Sequence, residues 1–110
     1  MNRILTIAIA IMLSVLTSMA QPENGKYYHI VKVQSGKALT NGEIAANDQK
    51  ITVANEDKTK WGQVWQLKEV SANVFCFVNP TNGAAIDIAQ GTLLQWTYSP
   101  SGNSAVNQRF

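Results

Sequence analysis

Gln63-Val64-Trp65 and Gln108-Arg109-Phe110 decide how this chain is read. Each is a glutamine, a spacer and a large aromatic, and the glutamines stand 45 residues apart, from 63 to 108. Recurrence at such a spacing marks a repeat architecture. Working outward, each triplet closes a longer match. The first unit opens on the alternating run Tyr28-His29-Ile30-Val31-Lys32-Val33, turns at Gln34-Ser35-Gly36-Lys37 and steps through Ala38-Leu39. The second opens on Val74-Phe75-Cys76-Phe77-Val78, turns at Asn79-Pro80-Thr81-Asn82-Gly83 and steps through Ala84-Ala85-Ile86. Ile51-Thr52-Val53 then matches Leu94-Gln95-Trp96. Each unit reads as about four short strands divided by Gly, Pro, Asn and Ser turns. A short β unit with one apolar face cannot bury that face alone, so the units are expected to pack on one another. The class is all-β, a barrel or a sandwich.

The first twenty residues stand outside this pattern. Arg3 supplies one positive charge, and Ile4 to Leu16 is an apolar run broken by a single Thr and a single Ser. Ser18-Met19-Ala20 ends it with small residues where a signal peptidase reads. Residues 1–20 are therefore expected to be a secretory signal peptide, helical in its apolar run, with cleavage between Ala20 and Gln21. An uncleaved anchor is the competing reading, but a span needs about 20 apolar residues. The exported protein would be secreted or periplasmic and run from Gln21 to Phe110. Residues 21–26 read as a flexible lead, repeat one as 27–70 and repeat two as 73–110.

Composition narrows the chemistry. The chain carries 9 Lys+Arg, 7 Asp+Glu and one His, with a net charge of +2. No basic block is present, so neither nucleic acid nor, after cleavage, a membrane is implied as a partner. Cys76 is the single cysteine, which excludes an internal disulfide and reads as a strand residue. One histidine and no cysteine pair make a transition-metal site improbable on composition, and no cofactor motif is found. No nucleophile elbow, phosphate loop or credible carboxylate pair appears. The chain reads as a non-enzyme.

The repeated Gln-x-aromatic, together with Ser35-Gly36-Lys37-Ala38-Leu39, Leu94-Gln95-Trp96-Thr97-Tyr98 and Asn107-Gln108-Arg109-Phe110, resembles the ricin B-type lectin domain. The resemblance spans about 27–110. It implies a β-trefoil, here a partial one, since that fold has three units and two are visible. Two units alone would leave open strand edges, which invite self-association or a third repeat. The resemblance further implies a sugar site within one repeat: an Asp after the apolar step, an aromatic platform on the next strand, and amides near the Gln-x-aromatic. Sugar hydroxyls need donors and acceptors, and a pyranose C–H face needs a flat apolar partner. In repeat two these positions hold Asp87, Trp96, Asn107 and Gln108, with Tyr98 as a second aromatic. Leu94 stands where the family has a polar Gln. Repeat one has Thr40 at the Asp position and Val53 at the platform position, and reads as scaffold. The implied ligand is a carbohydrate, of galactose or xylose type. Other uses of these residues stay open: Gln63 and Gln108 as structural amides, Trp96 as core, Asp87 as a turn cap. A non-catalytic structural or protein-interaction domain without a sugar site is the alternative function.

Overall fold

The alternating run after the leader becomes a strand, and so does each run matched to it. The computed structural model describes residues 2–6, 22–100 and 103–110. Its strands are β1 (Asn2–Thr6), β2 (Tyr27–Val31), β3 (Ala38–Thr40), β4 (Thr52–Ala54), β5 (Trp65–Ser71), β6 (Val74–Val78), β7 (Ala84–Ala89) and β8 (Thr92–Thr97). Short 3₁₀ segments, Trp61–Gln63 and Asn103–Gln108, lead into the two closing aromatics. Repeat one holds β2 to β5 and repeat two β6 to β8. In place of a fourth strand, repeat two brings Phe110 onto Phe75. The two residues exchange both backbone hydrogen bonds at 2.8 Å, as Trp65 pairs with Tyr28 in repeat one.

The turns after β2 and β6 are the same turn. Gly36 N–H donates to the Lys32 carbonyl (2.8 Å), and Lys32 N–H donates to the Lys37 carbonyl (2.9 Å). In repeat two Gly83 donates to Asn79 and Asn79 donates to Ala84, each at 2.8 Å. Both glycines sit at positive φ, 68° and 73°, a conformation that a Cβ penalises.

The sheet runs β4-β3-β2-β5-β6-β7-β8, with β1 added beside β2. Its two ends meet. Lys50, just before β4, bridges Leu94 of β8 in antiparallel sense. The Asp48 and Ile51 N–H groups donate to Gln95 and Leu93, and the Gln95 N–H donates to Gln49. Open strand edges were expected of two units alone, and at β8 the edge is covered by residues 48–51. The edge of β2 is covered too. Asn2–Thr6 runs parallel to Tyr27–Val31, pair for pair, where a helix was expected. β3 pairs β2 only at Val31, and β5 only at Tyr27 and Tyr28. An extended segment satisfies the backbone groups left between. Residues 7–21, with the rest of the expected signal and its cleavage point, lie outside the described residues.

The core is built of matched pairs. Its members are Tyr28, Ile30, Leu39, Ile51, Trp65, Leu67, Phe77 and Ile86, with Phe75, Leu93 and Phe110 packed against them. By strand register and turn position these are Tyr28 with Phe75, Ile30 with Phe77, Leu39 with Ile86, Ile51 with Leu93 and Trp65 with Phe110. Leu67 completes the set. The three half-buried members all belong to repeat two, whereas Trp65 is wholly buried. Trp65 also donates from Nε1 to the Leu39 carbonyl at 3.2 Å. Phe110 has no such donor and tilts at 42° against Phe77, centroids 5.9 Å apart.

Candidate functional site on the hairpin of repeat two

The hairpin of β7 and β8 positions the candidate residues. Asp87 pairs with Leu94 and Ala85 with Trp96. Opposed residues project to one face, as do residues two apart along a strand. Asp87 and Trp96 therefore share a face, diagonally across the pair. Ile86 and Gln95 take the other face and are buried. Trp96 is 45 % exposed, so its ring lies at the surface rather than in the core. Asp87 is 6 % exposed, and its Oδ2 accepts a hydrogen bond from Gln108 Nε2 at 3.1 Å.

Register corrects one assignment in repeat one. Thr40 pairs with Thr52 and Ala38 with Ala54, as Asp87 pairs with Leu94 and Ala85 with Trp96. Thr40 does match Asp87, but the residue matching Trp96 is Ala54, not Val53. Repeat one presents neither carboxylate nor ring.

Gln108 is placed differently from a ligand contact. It is fully buried. Its Oε1 accepts from Ser99 N–H (2.8 Å), and its Nε2 donates to the Thr97 carbonyl (3.0 Å) as well as to Asp87. Gln63 does the same in repeat one, accepting from Asp57 N–H and donating to the Asn55 carbonyl, both at 2.9 Å. In each repeat the amide ties together two residues that stand two apart where a strand gives way to a loop. Gln108 thus holds the Asp87 carboxylate in place. Asn107 is exposed. Tyr98 lies just past β8, half-buried, with Lys68 Nζ 5.3 Å from its ring centroid. Burial pushes the Tyr98 phenol above its ordinary pKa, and the nearby Cys76 thiol adds to this. One face of that ring is occupied by Lys68, whereas the Trp96 ring is exposed. Cys76 is itself buried, which raises its thiol pKa and keeps it protonated.

Gln95 was not singled out by its local sequence, yet it joins the two repeats. Its Nε2 donates to the Ile44 (2.6 Å) and Ala46 (2.7 Å) carbonyls. Its Oε1 accepts from Asn41 Nδ2 (3.0 Å) and Asn82 Nδ2 (3.2 Å). This wholly satisfied buried amide fixes the loop of repeat one against the hairpin of repeat two. The alternation along β8 was the available signal: a Trp facing out places its neighbour facing in.

Comparison with known proteins follows from this geometry. Residues 15–97 match the family model described as ricin-type β-trefoil lectin domain-like. The chain belongs to that family. Among solved structures, this ricin-type domain is similar to a designed threefold-symmetric protein, ThreeFoil, with TM-score 0.66 and 23 % identity over 82 % of this chain and 65 % of that one. It is similar to cytolethal distending toxin from Actinobacillus actinomycetemcomitans, with TM-score 0.63 and 19 % identity over 76 % of this chain and 54 % of that one. It is similar also to the Polyporus squamosus lectin bound to a human-type influenza-binding epitope, with TM-score 0.62 and 14 % identity over 83 % of this chain and 32 % of that one. The chain spans less than two thirds of each of these three. At such identities the likeness establishes the β-trefoil fold. No curated protein sequence matches the chain.

Proposed function

We propose that this ricin-type domain is a non-catalytic carbohydrate-binding module of the secreted or periplasmic space, acting through repeat two. The observation that carries the reading is Trp96: a large aromatic, 45 % exposed, on the same hairpin face as a positioned carboxylate. The ring offers a flat apolar surface to the C–H face of a pyranose. Asp87, held by Gln108, accepts hydrogen bonds from sugar hydroxyls, and charge-assisted bonds of this kind are among the stronger ones. Asn107 adds an exposed amide, and Tyr98 borders the site from beyond the strand. Galactose- or xylose-type glycans are the expected ligands. The leader supports export, and cleavage after Ala20 would remove β1 and leave the edge of β2 for self-association or a third repeat.

A glycan array carrying galactose- and xylose-based polymers tests this reading. The wild type should be retained on at least one of them, and Asp87→Asn, which keeps the shape and removes the charge, should lose about tenfold in affinity, or 1.4 kcal/mol. Equal binding by Asp87→Asn would remove the carboxylate from the site. An empty array, with the protein captured by a protein partner, would favour the alternative of an interaction domain.

A further inference from the structure

We propose that the sugar-binding face continues past Leu94 into a second subsite, completed by Asp48 and Lys50 of repeat one, which takes the adjoining residue of a neutral oligosaccharide. The proposal rests on the reading of Asp87 and Trp96 above and extends it from a monosaccharide to a chain.

Strand pairing places the parts. Lys50 stands opposite Leu94 between the backbone bonds made at Gln95 and Leu93. It is therefore a non-hydrogen-bonded neighbour, the arrangement that brings side chains closest on one face. Asp87 stands opposite Leu94 from the other side. Asp87, Leu94 and Lys50 thus form one row across three strands. Trp96 lies on one side of the row and Thr92 on the other, four residues apart along β8, or about 13 Å. An open groove of about 430 Å³ crosses the row, lined by Asp48 toward the Trp96 side, by Lys50 and Leu94 within the row, and by Ala89, Gln90 and Thr92 beyond it.

The groove is open and lined by polar side chains, two of them on residues at positive φ. Asp48 sits at φ 69° with its N–H donated to the Gln95 carbonyl at 2.9 Å. Gln90 sits at φ 53° in the tight turn between β7 and β8. The side chains of Asp48, Lys50, Gln90 and Thr92 offer a carboxylate, an ammonium, an amide and a hydroxyl. Sugar hydroxyls both donate and accept, so they match such a mixed set. One acidic and one basic group oppose each other here, which suits an uncharged ligand better than an anionic one. Leu94 and Ala89 supply apolar floor for ring C–H groups. Lys50 also brings polarity to the place where Leu94 itself has none.

The test is titration of the intact protein with galactose, galactobiose and galactotriose, and with xylose, xylobiose and xylotriose. The disaccharide of the preferred series should bind about tenfold tighter than its monosaccharide. In Lys50→Ala and in Asp48→Gly, which keeps the positive φ accessible, this ratio should fall toward one, with unchanged thermal melting confirming the fold. Trp96→Ala should weaken both ligands together. A wild-type ratio near one, or a ratio insensitive to both variants, overturns the subsite while leaving the reading of Trp96 and Asp87 standing. Failure of the wild type to bind any of the six sugars overturns both.

Discussion

At the scale of single residues, the two closing glutamines show what a short motif means physically. Gln63 and Gln108 each bridge an N–H and a carbonyl two residues apart at the end of a strand, and each is buried with its amide satisfied. Replacing Gln63 with Ala strands the Asp57 N–H and the Asn55 carbonyl. Gln63→Ala is expected to lower stability by about 1–3 kcal/mol, read as a shift in the urea midpoint at constant m-value. The motif itself was legible, as were the positions of Asp87 and Trp96. For Gln108 the sequence left two readings open, a sugar-facing amide and a structural one, and its burial and backbone partners decide for the structural one. Its partners at 97 and 99 are set by a loop that returns from β8, so nothing adjacent to Gln108 in sequence distinguishes an amide facing sugar from an amide facing backbone.

At the scale of elements, register decides which residues correspond. A slip of one residue moves a side chain to the opposite face, and this separates Val53 from Ala54 as the counterpart of Trp96. Both lie in an apolar, strand-like stretch, and only their pairing with Leu39 and Ala38 tells them apart. The strand, glycine turn, apolar step and closing triplet could be read in order because each has a local signature. The pairing of residues 48–51 with β8 has none, being made between segments more than forty residues apart. Close approach adds a further constraint. Gly62 donates to Glu43 Oε2 at 3.0 Å, and its carbonyl accepts from Asn41 N–H at 3.1 Å. A Cβ there would meet Asn41 Oδ1 and come within 2.7 Å of the Glu43 backbone nitrogen. Gly62→Ala should therefore cost about 1–3 kcal/mol through overpacking, measurable in the same denaturation series, although the substitution is one that ordinarily favours a helix-like turn.

At the scale of the whole molecule, the core is one interior shared by paired residues, and its coverage is unequal. Tyr28 and Trp65 are buried while their partners Phe75 and Phe110 are only half so. That asymmetry was not visible in the sequence, where the two sets are equally apolar. Protein beginning at Gln21 lacks β1 and presents the β2 edge together with these half-covered aromatics. Light scattering is expected to give it a mass above that of a monomer, and a cooperative, monodisperse monomer would contradict the expectation. The functional account turns on Trp96. Side-by-side titration of wild type and Trp96→Ala against the polymer that the wild type prefers is its most direct test. The ring is exposed, so the variant should keep its melting temperature within the small change expected of a surface site and lose at least about tenfold in affinity. Undiminished binding by a folded Trp96→Ala protein would contradict the account.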